Sequence, residues 1–294
     1  MSQTSPPLLI SPEALAALMS HATLNILDAT VELPAPRFDG DYRVSSGRDG
    51  WLQAHIPGAA QADLIAELAD PQADFSFALP SAESLARALA KLGINANSAV
   101  VIYDRADGFW AARLWWMLRA VGLHARVLDG GFKAWRAAGL PEQQGDETPR
   151  SVDPLHLEQR PGFWIDRLGV QAVLAGERPG QLVCALSAAL FDGSAPSRYA
   201  RRGHIPGSHN LPARQLLDEQ GRYLENEQLK ATIGTGLLTS NEPLVLYCGG
   251  GISAAAVALA LAKVGRDNVL LYDGSLQEWA ANSDLPMTTG ATPA

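Results

Sequence analysis

Short apolar runs alternate with helical apolar patterns along this chain, and the alternation occurs twice. Runs at 26–27, 99–103 and 125–128, and again at 182–186, 244–247 and 269–272, are apolar with almost no polar interruption. They are bounded by glycine, proline or polar segments, as buried strands are. Between them, apolar positions recur at helical spacing over 81–92, 111–121 and 253–264. A half-exposed sheet would alternate apolar with polar, whereas a parallel sheet covered on both faces reads as a continuous apolar run. The pattern predicts an α/β protein made of two open, mostly parallel sheets with helices on both faces.

The two halves also match residue by residue. Asp104 and Cys248, Asp129 and Asp273, Gly130 and Gly274, and Trp135 and Trp279 all lie 144 residues apart. The His55-Ile56-Pro57-Gly58 motif returns as His204-Ile205-Pro206-Gly207 at an offset of 149, which requires a short insertion. Ordered matches of this kind indicate a duplicated domain. The stretch 142–162 lacks either hydrophobic period and is rich in polar residues and proline. The expected organisation is a domain over 1–145, a linker over 146–159 and a second domain over 160–294.

Composition narrows the function classes. Of 294 residues, 47% are hydrophobic, enough for two sizeable cores, and the formal net charge of −8 disfavours general binding to nucleic acid. No run approaches the roughly 20 apolar residues of a membrane span, and residues 1–10 lack the basic and apolar regions of a secretory signal. Two cysteines do not make a disulfide framework. A cytoplasmic protein with no membrane or nucleic-acid partner is expected.

The two cysteines sit in different chemistry. Cys184 lies inside an apolar strand and reads as an inert core thiol. Cys248 ends a strand and is followed by Gly249, Gly250, Gly251, Ile252 and Ser253, where an alanine-rich helix begins. In open α/β sheets, ligands bind at the carboxyl ends of strands. Consecutive glycines there let backbone amides converge on an anion, first of all the Cys248 thiolate, which is the nucleophilic form. The alternative is a buried cysteine beside a tight turn. The loop excludes two neighbouring chemistries: Ala254 stands where a C-x5-R phosphatase needs its arginine, and Gly251 where C-x-x-C needs its second thiol. Scattered histidines and cysteines match no metal-ligand spacing.

The segment Cys-Gly-Gly-Gly-Ile-Ser resembles the six-residue active loop of tandem-domain rhodaneses, close to the C-G-S-G-V-T form of mercaptopyruvate sulfurtransferases. Both His-Ile-Pro-Gly motifs, Arg113 to Arg119, Leu128-Asp129-Gly130-Gly131-Phe132 with Trp135, and Tyr272-Asp273-Gly274 with Trp279 extend the resemblance over nearly the whole chain. It implies a sulfurtransferase with no cofactor or metal, two rhodanese-like domains, and a catalytically silent first domain, in keeping with Asp104 at the cysteine position. A small donor would pass sulfur to Cys248 as a persulfide, and cyanide, a small thiol or a thioredoxin-like protein would accept it. The resemblance further implies a proton relay of Ser253, His55 and a carboxylate, of which Asp49 is the nearest upstream. Ser253 has a second reading, as the N-cap of its helix, and His204 reads as a histidine that fixes its turn through the backbone. Phe109 and Trp110 are expected to line the cleft opposite Cys248, and Trp115 to Leu118 to be core.

The resemblance fails at the donor clamp. The family places D-x-R, then R-F, then E-P-R before the second histidine motif; here those positions read Cys184 and Leu186, Leu190 before Phe191, and Ala195-Pro196-Ser197. Arg198 is one residue from an expected arginine, with Arg201 and Arg202 close by, so Arg198 is the first candidate for a displaced clamp. Thiosulfate enzymes resemble C-R-K-G-V-T, with a cationic loop; this loop is neutral, which favours 3-mercaptopyruvate over the dianion thiosulfate. On the same argument Arg at 249 and Lys at 250 are expected to restore a preference for thiosulfate. A persulfide carrier without turnover is the remaining alternative.

Overall fold

The computed structural model describes residues 7–290. Each half forms one five-stranded, all-parallel sheet. In the first, β1 (Leu9–Ile10), β2 (Leu24–Asp28), β3 (Ala59–Gln61), β4 (Ala99–Tyr103) and β5 (Ala125–Leu128) lie in the order β1-β5-β4-β2-β3. In the second, β6 (Trp164–Ile165), β7 (Gln181–Cys184), β8 (His209–Asn210), β9 (Leu244–Tyr247) and β10 (Val269–Tyr272) lie in the order β6-β10-β9-β7-β8. Strand for strand the orders are identical, so the repeat in the sequence is a repeat of topology. The edge strands β1, β3, β6 and β8 are two or three residues long, too short to leave an apolar run, and pattern reading missed them.

Helices α1 (Phe109–Ala120) and α2 (Ile252–Lys263) follow the two central strands and pack against one another at the domain boundary. Both are buried on nearly every side, which explains why their sequences show no polar face. Each starts directly after a left-handed glycine, Gly108 (φ 78°) or Gly251 (φ 79°). Only glycine holds such a φ without a Cβ penalty. A shorter helix, α3 (Ser275–Ala281), follows β10.

Duplication also makes the domain boundary two-fold in character. Leu79 N–H donates to the Asp273 carboxylate at 2.7 Å, and 144 residues on, Tyr223 N–H donates to Asp129 at 2.9 Å. Arg113, 1% exposed, reaches from α1 to Asp273 at 2.6 Å and to the Phe77 carbonyl at 2.7 Å. Residues 146–159 contain no helix or strand, yet they do not hang free. Val152 N–H donates to the Ala90 carbonyl, Leu155 and Leu157 pack on the core, and just past the segment Arg160 N–H donates to the Ala120 carbonyl. Among the described residues no helix is long and apolar enough to cross a membrane.

Candidate active site

Cys248 is 2% exposed and sits at the base of a cleft of about 500 Å³ between the two domains. It follows β9, the central strand of the second sheet, so its position is the one that open α/β sheets reserve for ligands. The first two residues of α3 after Ser275 shape the loop. Leu276 N–H donates to the Cys248 carbonyl at 3.1 Å and Gln277 N–H to the Gly249 carbonyl at 2.8 Å. In a planar trans peptide the N–H points opposite to the preceding C=O. With those carbonyls turned to α3, the amides of Gly249 and Gly250 point away from it, as an anion cradle requires. Cys248 N–H itself donates to Ser275 Oγ at 3.2 Å.

The first domain displays the same cradle occupied. Asp104, fully buried at the position matching Cys248, receives amides from Ala106 and Gly108 at 2.9 Å each and from Ala111 at 3.0 Å. A carboxylate thus takes up the amides that a persulfide anion would need there. Burial still pushes the Asp104 carboxyl above its usual range, against the pull of the three amides.

Strain concentrates beside Cys248. Among the described residues only two non-glycine side chains have positive φ, Phe77 (64°) and Ser275 (47°). Phe77 lines the cleft, and Ser275 supports the Cys248 backbone while its hydroxyl donates to the Tyr272 carbonyl at 2.8 Å. Such conformations cost about 1–3 kcal/mol each and persist where the surroundings impose them.

The cleft brings together Cys248, Gly249, Gly250, Ile252, Ser253, Arg198, Phe109 and Trp110 from the sequence-based expectations. Gly251 lies behind it, with Arg113 Nη1 2.9 Å from where a Cβ would stand. Arg198 donates to the carbonyls of Leu33 (3.2 Å) and Pro34 (2.6 Å) in the first domain, and its buried Nε has no hydrogen-bond partner among the described residues. Leu186, where the family has arginine, gives an apolar wall. Trp115 to Leu118 are core.

Other residues named from the sequence stand outside this cleft, and His204 fixes its turn as expected. His55 does not line this cleft: it is fully buried in the first domain, its Nδ1 lies 2.8 Å from the Trp51 carbonyl, and its ring stacks on Trp51 at 4.5 Å. His204 repeats the arrangement, with Nδ1 2.8 Å from the Phe191 carbonyl and its ring on Phe191. Both histidines fix turns, and the duplicated motif duplicates that task. Asp49 is an exposed residue in the first turn of the helix Arg48–Gln53. Ser253 is not an N-cap, because the left-handed Gly251 starts the helix one residue before Ile252 and leaves Ser253 in the first turn. Arg201 is spent on the carbonyls of Trp279, Ala280, Asn282 and Leu285 around the end of α3. Arg202 forms an exposed ion pair with Asp39.

Sequence reasoning missed Tyr199 and Gln277. A Cβ built on Gly249 would overlap the Tyr199 hydroxyl oxygen, and one on Gly250 would come 2.7 Å from Gln277 Nε2. The neutral loop is therefore a packing requirement as well as an electrostatic one, and arginine at 249 does not fit beside Tyr199. Tyr199 lies in irregular structure next to Arg198, where no periodicity marks it. Cys184 is fully buried, paired in register with Tyr247 on β9, and burial pushes its thiol up to about 12. Among the described residues no cluster of three or more His, Cys, Asp or Glu is arranged to hold a metal ion.

The rhodanese-like domain family matches the chain at residues 11–138 and 180–282. The chain is 32% identical over 282 residues to the 3-mercaptopyruvate sulfurtransferase of Escherichia coli K12, covering 95% of this chain and 96% of that one. It is 33% identical over 309 residues to the mitochondrial thiosulfate/3-mercaptopyruvate sulfurtransferase 1 of Arabidopsis thaliana, covering 97% and 78%. The crystal structure of an Escherichia coli 3-mercaptopyruvate sulfotransferase superposes with a TM-score of 0.77 at 29% identity, covering 92% of this chain and 99% of that one. The chain belongs to the rhodanese family of sulfurtransferases. It is a two-domain member in which a single cleft cysteine, Cys248, directly follows the central strand of the second sheet.

Proposed function

We infer that the protein moves sulfur from 3-mercaptopyruvate to a thiol or cyanide through a persulfide on Cys248. The observation that carries this reading is the loop: a cysteine at the cleft base, amides of Gly249 and Gly250 turned from α3, and no charged side chain from 249 to 253. In the first step the Cys248 thiolate attacks the donor's thiol sulfur. The carbon–sulfur bond breaks, its electron pair moves to carbon as the enolate of pyruvate, and a proton must reach that carbon. In the second step the acceptor attacks the outer sulfur and returns Cys248 as thiolate. Splitting the transfer in this way gives ping-pong kinetics.

Arg198 holds the donor's carboxylate. It is the guanidinium beside the loop whose Nε is buried without a partner, whereas Arg201 and Arg202 are committed elsewhere. Ser253, in the first turn of α2, faces the same cleft and orients the bound donor. The first domain is silent because Asp104 fills its cradle with a carboxylate that cannot carry sulfane sulfur. The acceptors are cyanide, small thiols or a thioredoxin-like protein, and the protein works in the cytoplasm, consistent with two unpaired cysteines.

The test is a side-by-side turnover assay with 3-mercaptopyruvate and thiosulfate, cyanide as acceptor. A higher kcat/KM for 3-mercaptopyruvate is expected. A preference for thiosulfate would overturn the donor assignment, and a persulfide formed without turnover of either donor would make the protein a sulfur carrier.

A further inference from the structure

Breaking the carbon–sulfur bond of 3-mercaptopyruvate leaves a carbanion equivalent that must be protonated, and an acid poised at that carbon supplies the proton as the bond breaks. Neither histidine of the repeated motif lines the cleft. The Thr30 hydroxyl donates to Asp28, Asp107 is ion-paired with Arg214, and carboxylates at neutral pH have no proton to give. Ser253 is an alcohol and a far weaker acid than a phenol. That leaves the hydroxyl of Tyr199, which lines the cleft and stands where a side chain on Gly249, the residue after the nucleophile, would be.

Resting on the mercaptopyruvate reading above, we propose that Tyr199 is the catalytic acid that protonates the leaving carbon, and thereby the residue that fits this site to a carbon-bound sulfur donor. As sulfur passes to Cys248, the phenol gives its proton to the methylene carbon of the enolate, and pyruvate forms. The proton carried by the transferred sulfur then passes to the phenolate, so the cycle leaves a persulfide anion on Cys248 and a neutral Tyr199. No oxidant or further reactant is needed. Burial, and secondarily the neighbouring Cys248, hold the phenol above its usual range, which keeps it protonated until the enolate forms. The Arg198 guanidinium next to it opposes that shift and favours the transient phenolate.

Carbon-free donors separate this role from mere packing. Thiosulfate releases sulfite as a stable anion, and inorganic polysulfide releases a shorter polysulfide, so neither needs a proton on carbon. In Tyr199→Phe, the ratio of the persulfide-forming rate with 3-mercaptopyruvate to that with polysulfide should fall at least tenfold. Fluorotyrosine at 199, a more acidic phenol of nearly the same shape, should restore that ratio to within about threefold of the unsubstituted protein. A ratio unchanged within twofold in Tyr199→Phe, equal losses with both donors, or a fluorotyrosine variant no better than Tyr199→Phe would each overturn the proposal while leaving the Cys248 persulfide intact. A wild-type protein that forms persulfide from polysulfide but never from 3-mercaptopyruvate would remove the donor assignment and this proposal together.

Discussion

Arg113 and Asp273 meet across the domain boundary at 2.6 Å, and the arginine is 1% exposed while the aspartate is 18% exposed. The pair lies directly under the active loop: a Cβ on Gly251 would come 2.9 Å from Arg113 Nη1, and Asp273 also receives the Leu79 amide. Its guanidinium stacks on Trp164 at 4.9 Å. A charge buried this deeply is costly unless paired, so the two domains are bound to one another at the point where the loop needs support.

Removing one partner should therefore be far worse than removing an exposed pair. Arg113→Ala is expected to cost roughly 3–5 kcal/mol in urea unfolding, and to lower activity in what remains folded. Arg202→Ala, which breaks only the exposed pair with Asp39, should cost at most about 1 kcal/mol. Similar losses in the two variants would show that the buried pair is not what joins the domains.

Arg198→Ala should raise KM for 3-mercaptopyruvate about tenfold or more, the size of a lost charge-assisted hydrogen bond of about 1.5–3 kcal/mol. Arg201→Ala should lower stability instead, because four carbonyls around α3 lose their donor. Steady-state kinetics beside thermal unfolding distinguish the two. An unchanged KM in Arg198→Ala would mean that the cleft has no arginine clamp.

Gly249→Ala should be inactivating through overpacking, at about 1–3 kcal/mol, since the new methyl meets the Tyr199 hydroxyl. The double change with Tyr199→Gly should recover persulfide formation from thiosulfate relative to Gly249→Ala alone, because it restores the space. Equal defects in the single and double variants, measured by a double-mutant cycle, would separate the two positions.

His55→Ala should destabilise the protein while kcat per folded molecule holds, because the ring fixes a turn through Trp51 and does not line the cleft. Activity lost in proportion beyond the unfolded fraction would return His55 to a relay.

How much of this was readable in the sequence follows from where each signal lives. The central strands, α1, α2 and the position of Cys248 at a strand end are local: apolar runs, helical spacing and glycine carry them, and the 144-residue offset turns two weak patterns into one strong one. The short edge strands are set by pairing with a neighbour rather than by their own residues. Tyr199 and Gln277 enter the site by tertiary placement, from irregular structure and from α3, and nothing in their local sequence marks them. Leu186 and Ser197, where the family has arginines, show as departures in sequence, but only the fold shows that Arg198 reaches the cleft while Arg201 and Arg202 turn away. The His55 motif fixes a turn, and its local sequence does not show whether the ring faces the cleft.

The two thiols should separate by reactivity. Burial raises Cys184 to about 12 in the folded protein, against about 8.5 in an unfolded chain. The folded state then holds a proton that the unfolded state releases, so the stability Cys184 contributes is complete below about 8.5 and is lost as pH rises towards 12. Iodoacetamide should modify Cys248 at neutral pH and leave Cys184 untouched until the protein unfolds, as peptide mass spectrometry would show. Early labelling of Cys184 would contradict its placement on β7.

In the proposed reaction sulfur rides on Cys248. Incubation with 3-mercaptopyruvate without acceptor, followed by peptide mass spectrometry, should add one sulfur, about 32 Da, to the peptide containing Cys248. Cyanide should then remove it, and Cys248→Ser should show no added mass and no turnover. Sulfur found on Cys184, or intact turnover in Cys248→Ser, would show that Cys248 does not carry it.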